Sequence, residues 1–159
     1  MRCVRNCVVD GPPEAVWAAL QAPETHVAIA RPFLNLAPAD GHARFAELLH
    51  DGPTAIRVRL FGLLPLGTRI WQISRPVHEP GSRFYALEIK SRARGIAQRR
   101  VLRLSPHASG RTNIEETLEM TGWRATLLGP FAWLAQAWRL KRLARLLRAS
   151  AKAQHGGGV

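Results

Sequence analysis

Cysteine is scarce: the chain has two, Cys3 and Cys7, and their spacing excludes a staple. On a strand they share one face about 13 Å apart, against the ~7 Å between Cα atoms that a disulfide tolerates. No second cysteine pair and no His-x-x-x-His cluster accompanies them, so a zinc site is not expected; two thiols in a reducing cytoplasm are. Long apolar runs are missing. No stretch of ~18 uncharged apolar residues occurs, so no spanning helix is expected. Met1-Arg2-Cys3-Val4-Arg5-Asn6-Cys7 carries no apolar segment behind its first basic residue and does not read as a signal peptide. Acids are few: 11 Asp and Glu face 23 Lys and Arg, a formal charge of +12, and none follows Thr121. Such an excess favours anionic partners, whether nucleic acid, membrane surface or acidic ligand, without choosing among them.

Several chemical signatures are absent as well. Gly62-Leu63-Leu64-Pro65-Leu66-Gly67 has the glycines of a phosphate loop but not its Lys-Ser/Thr. No serine sits in a Gly-x-Ser-x-Gly setting. His26, His42, His50, His78, His107 and His155 are scattered, mostly beside turn residues, and each is expected at the surface.

What is present suits one domain. The chain has 159 residues, 47% of them apolar, enough for a core without staples. Residues 1–152 are expected to form that domain and 153–159 a flexible tail. Residues 3–9 alternate and read as a strand that Asp10-Gly11-Pro12-Pro13 ends. A helix opens at Pro13 or Glu14, where proline's missing N–H costs nothing, and Pro23-Glu24-Thr25 starts a second one that stops before Pro32. From about residue 43 to 121 the apolar period becomes two. Strands are expected near 43–50, 54–61, 67–75, 82–90, 96–105 and 111–121, separated by turn chemistry such as Asp51-Gly52-Pro53 and Glu79-Pro80-Gly81. That spacing indicates an antiparallel meander. Gly129-Pro130 then precedes a long helix over roughly 130–152. Leu127, Phe131, Leu134 and Trp138 share one side of it, and Trp133, Ala137, Leu140, Ala144 and Leu147 another. Its first half should therefore be buried nearly all round, or bury one side in a ligand space or a partner. Its second half carries a basic stripe, Lys141, Arg145, Arg148 and Lys152, expected in solvent.

The order strand, two short helices, six strands, long helix resembles the START/Bet v 1-like group, the polyketide cyclase/dehydrase and lipid-transport (SRPBCC) superfamily. Three local patterns carry the resemblance: Val9-Asp10-Gly11-Pro12-Pro13-Glu14-Ala15-Val16-Trp17, Leu60-Phe61-Gly62-Leu63-Leu64-Pro65-Leu66-Gly67-Thr68-Arg69-Ile70, and Gly110-Arg111-Thr112-Asn113-Ile114-Glu115-Glu116-Thr117-Leu118-Glu119-Met120. The resemblance implies an α+β helix-grip fold, a curved antiparallel sheet of six or seven strands wrapped on the long helix. It also implies an internal cavity for a lipid, polyketide or similar molecule.

One polar pair stands out. With the turn of the last hairpin centred near Ala108, Arg100 faces Glu116 on the side that carries Leu102, Leu104, Ile114, Leu118 and Met120, together with Gln98. The other side, with Arg99, Arg103, Glu115 and Glu119, is what water should see. Relatives carry polar residues, often His and Asp, at similar places; here Arg100 stands for the His, and arginine does not deprotonate in proteins. The pair is expected to satisfy itself, with a ligand-orienting role as the functional alternative. Trp71, Phe84, Tyr85 and Trp133 are aromatic candidates, each as easily core. On the strand over 82–90, Tyr85, Leu87 and Ile89 look inward. The candidate ligand-binding set is thus Arg100, Glu116, Gln98, Leu102, Ile114, Leu118, Trp71, Tyr85, Phe131 and Leu134.

The leading functional reading is binding or transport of a small hydrophobic ligand, with no cofactor and no metal. A cyclase or dehydratase acting on such a ligand is one alternative. A basic module docking on anionic membrane through Lys141, Arg145, Arg148 and Lys152, or less readily on RNA, is another. Oligomeric state is left open.

Overall fold

The computed structural model describes residues 1–39, 52–74 and 84–156. The chain begins with strand β1 (Arg2–Asp10), then helices α1 (Pro13–Gln21) and α2 (Pro23–Ala30). Six strands follow: β2 (Leu34–Pro38), β3 (Thr54–Leu60), β4 (Leu64–Ser74), β5 (Tyr85–Ala93), β6 (Ile96–His107) and β7 (Arg111–Thr121). Helix α3 (Trp123–Gly156) ends the described chain. All seven strands form one antiparallel sheet in the order β1-β7-β6-β5-β4-β3-β2. This is an α+β helix-grip fold. The first and second strands occupy the two edges, and α1 and α2 connect them.

Several boundaries depart from the sequence reading. The edge strand is Leu34–Pro38, ahead of the first strand expected after the two helices; the strand expected over 43–50 lies outside the described residues. The long helix starts at Trp123, seven residues before Pro130. Proline lacks the N–H that would reach back to the carbonyl of Thr126, but both residues are on the exposed side of α3, where water can take that carbonyl. Gly122, with φ +100°, is the actual break; a Cβ there would collide with the Gly95 carbonyl, so the β5–β6 turn and the start of α3 fit only around glycine. At its other end the helix runs to Gly156, past the boundary expected at 152.

Alternation fixes which residues face α3. In β7, Thr112, Ile114, Glu116, Leu118 and Met120 are buried, and in β5 Leu87, Ile89 and Ser91. The main core joins Val9, Val16, Leu20, Leu102, Leu104 and Ile114 to Leu140 and Leu143 of α3. Burying a leucine contributes about 1.5–3 kcal/mol, so this end is where the helix is held. A smaller cluster, Ile96, Leu118, Met120 and Ala125, lies under the first half of α3. No helix among the described residues is long and apolar enough to cross a membrane. Cys3 and Cys7 are both free and share the inward face of β1; burial, with the charge of Glu116, pushes the Cys7 thiol up to about 11.

Candidate functional site

Beside the smaller cluster a gap remains between α3 and the inner face of the sheet. Gly129 is covered by Met1; the small residues turned to the gap are Ala132, half-buried, and Ala135, buried. The space they leave is a cleft of about 320 Å³, walled on the helix side by Leu128, Phe131, Ala132 and Ala135 and on the sheet side by Leu34, Leu66, Leu118 and Met120. A second, deeper chamber of about 40 Å³ adjoins it, lined by Arg69, Trp71, Gln98, Arg100 and Arg139 over an apolar base of Leu36, Val58 and Ile89. Leu34, Arg69, Gln98 and Arg139 line both spaces, so the two form a continuous site with an apolar mouth and a cationic floor. The rings of Phe61, Phe131 and Trp138 surround Phe33 at 5.4–6.0 Å, tying the start of β2 and the β3–β4 turn to the helix. The Trp138 indole and Arg142 also donate to the Arg31 carbonyl, each at 3.0 Å.

The floor is a buried polar network. Glu116 is 1% exposed and Arg100 5%; Arg100 Nε lies 3.8 Å from Glu116 Oε1, an ion pair longer than a hydrogen bond. Arg139 Nη2 donates to the same oxygen at 3.3 Å, and the Gln136 amide donates to the Glu116 carbonyl at 3.0 Å. The register differs from the expected one. Arg100 stands opposite Leu118, and Leu102 opposite Glu116, because the turn centres on Ser109, in the left-handed region at φ 64°, rather than on Ala108. A slip of two preserves the face, so the pair meets diagonally. On its other side Glu116 stands opposite Arg5, whose guanidinium lies 4.0 Å over the Trp133 ring.

His26 corrects the expectation of a surface histidine. It is 3% exposed. Its Nε2 lies 2.8 Å from the Leu20 carbonyl and its Nδ1 3.4 Å from Arg100 Nη2. A carbonyl can only accept and a guanidinium can only donate, so Nε2 carries the proton and Nδ1 receives the arginine. Burial, then the charge of Arg100, brings the imidazole down to about 3; it is neutral at physiological pH. Burial and the neighbouring Arg139 charge pull Arg100 down to about 10, where it remains cationic.

Of the candidate set, Arg100, Gln98 and Trp71 line the deep chamber, Gln98, Leu118 and Phe131 line the cleft, and Glu116 lies behind the chamber. The other four do not join them. Leu102 and Ile114 are in the packed core, because at their level leucines of α3 fill the space. Tyr85 stacks on Trp17 at 5.3 Å, with its hydroxyl 3.4 Å from Glu14 Oε1. Leu134 is 51% exposed: it lies opposite the Ala125–Ala135 face, which the sheet claims instead. The basic stripe is in solvent at Lys141, Arg145 and Arg148, the last 2.9 Å from Asp10 Oδ2; the Lys152 side chain lies outside the described residues.

Arg69 and Arg139 were missed. The bulge at Val58/Arg59 skips Leu66 in the pairing, so Leu66 and Arg69 both turn inward although three apart; the parity of Arg69 with Trp71 was the available signal. Arg139 is four residues from both Ala135 and Leu143, on the buried face, which its charge disguised.

This architecture has many solved counterparts. A protein of Chromobacterium violaceum superposes with a TM-score of 0.64 at 18% identity, covering 92% of this chain and 97% of its own. A START superfamily protein from Mycobacterium smegmatis gives 0.60 at 14%, covering 96% and 98%. Truncated norcoclaurine synthase from Thalictrum flavum gives 0.60 at 8%, covering 92% of each chain. The fold is START/Bet v 1-like. No family model and no curated protein matches the sequence, and identities this low establish the fold alone.

Proposed function

We propose that the protein binds a small hydrophobic molecule in the cleft between the sheet and the first half of α3. The supporting observation is the pair of small residues on the part of α3 that faces the cleft, Ala132 and Ala135, which with Leu128 and Phe131 wall about 320 Å³ of mainly apolar space. That volume is at the lower end of ordinary ligand pockets, roughly 300–1,000 Å³, and the wall chemistry, apolar with a few polar groups at one end, is what such pockets have. A structural counterpart, a point mutant of norcoclaurine synthase of Thalictrum, has been solved in complex with a transition state analogue. The polar groups at the cleft are guanidiniums, an indole and an amide, donors with the amide oxygen as acceptor. Arginine does not deprotonate, and both His26 nitrogens are engaged, so the set fits orienting a ligand better than moving a proton. Native mass spectrometry of the purified protein, followed by solvent extraction, tests the reading. A co-purifying hydrophobic species released by denaturation is expected; an unliganded mass that stays unchanged after incubation with alkyl-chain compounds contradicts it.

A further inference from the structure

The floor of the site holds more positive charge than the described protein neutralises. Arg69, Arg100 and Arg139 line the deep chamber, and the ion pairs of Arg100 and Arg139 both end on one oxygen of Glu116. Arg69 forms no ion pair among the described residues. Burial pulls its guanidinium down, and no proton loss can relieve the charge of an arginine at neutral pH. Four N–H groups of the chamber are buried without an acceptor among the described residues: Arg69 Nε, Arg100 Nε, Arg139 Nε and Trp71 Nε1. Each unpaired buried donor is costly, about 1–3 kcal/mol and more for a charged group. One carboxylate against three guanidiniums leaves two positive charges in a site shielded from water. His26 does not help, since its neutral ring accepts from Arg100 without carrying charge.

We propose that the cleft takes an amphipathic anion: a carboxylate or phosphate head held by Arg69, Arg100 and Arg139, on a hydrophobic body that lies between α3 and the sheet. This rests on the cleft being a ligand site. A planar guanidinium matches either head group in a two-point contact, and Gln98 and Trp71 add neutral donors beside it. The apolar part begins next to the cations, because Arg69, Gln98 and Arg139 also line the larger space. One molecule can therefore place its charge in the deep chamber and its chain in the cleft.

Calorimetric titration with dodecanoate, dodecyl phosphate and dodecanol, below their aggregation limits and in 0.15 M salt, tests this. At that ionic strength, attraction to exposed charges is largely screened beyond ~8 Å while buried pairs are not. Both anions are expected to bind at least tenfold more tightly than dodecanol, and the tighter of the two identifies the head group. Arg69→Met removes a cation that holds no carboxylate among the described residues, so the fold should survive; it should weaken both anions at least tenfold and leave dodecanol within twofold. Trp71→Phe keeps the ring, removes a donor and should weaken the anions several-fold. Arg145→Gln, on the exposed stripe, should change nothing. Dodecanol binding as tightly as the anions would overturn the proposal while leaving the ligand cleft standing. Equal losses in Arg145→Gln and Arg69→Met would overturn it in favour of adsorption to surface charge. No binding by any of the three would overturn the cleft reading and the proposal together.

Discussion

From Leu140 onward α3 packs through Leu140, Leu143 and Leu147 on Val9 and Leu104 of the sheet and on Val16 and Leu20 of α1. Over residues 128–139 its inner face carries Ala132, Ala135, Gln136 and Arg139, and a cleft walled also by Leu128 and Phe131 remains. Both stretches belong to one helix, and Ala132 and Ala135 face the cleft where the packed stretch carries leucines. Protein interiors otherwise pack at crystal-like density, and an alanine face opposite an apolar sheet forgoes contact that leucines would supply. One half of the helix holds the fold; the other holds space open. Glu116 stands at the boundary, bound by cations from β6 and α3.

That contrast can be broken in several ways. The largest effect is expected at the boundary. Glu116→Ala leaves Arg100 and Arg139 buried without their counter-ion and should cost about 3–5 kcal/mol in denaturant unfolding. The double change Arg100→Met with Glu116→Leu should cost less, because one cation leaves with the anion; a larger loss in the double variant would refute the ion-pair reading. Next comes the packed half, where Leu143→Ala should cost about 2–5 kcal/mol through the cavity it opens. The histidine at the join should act through pH. His26 has a folded value of about 3 against 6.5 for the free side chain. Its neutral form is the one the fold favours, so its contribution is fully present above pH ~6.5 and is lost as pH falls toward 3. The slope approaches about 1.4 kcal/mol per pH unit. Stability measured between pH 5 and 6.5 should show it, and His26→Gln should flatten it. The smallest effect belongs to the hollow half: Ala135→Leu puts methylenes into open space and should change stability by less than about 1 kcal/mol, where overpacking a filled core costs about 1–3. Similar losses for Leu143→Ala and Ala135→Leu would mean that the two halves pack alike.

The packed half was largely legible in the sequence and the hollow half only in part: a ligand space beside the first half of the helix was expected, and Gln98, Arg100, Leu118 and Phe131 line it. Period-two alternation placed Arg100 and Glu116 on the inward face, and the register could be two residues off without harm because parity repeats every two. Leu140 and Leu147 likewise announced a buried stripe. The cleft was obscured by residues whose chemistry misleads. Arg139 reads as surface, Leu134 as core, and the structure reverses both. Arg69 shares the inward parity of Trp71, but its charge disguised it, and Leu66 turns inward only through a bulge, which alternation cannot anticipate. Gly129-Pro130 looks like a helix start, yet proline on a solvated face leaves the helix unbroken. His26 is buried because α2 folds it over Arg100, a contact between residues 74 apart in sequence.

The central claim, that the hollow half of α3 is a binding site, is tested most directly by filling it. Ala135→Phe should remain folded, with a melting temperature within a few degrees of the parent protein. Its affinity for dodecanoate, measured by calorimetry beside the parent, should fall at least tenfold. A folded Ala135→Phe protein that binds dodecanoate as the parent does would contradict the claim, since any such binding would then lie elsewhere.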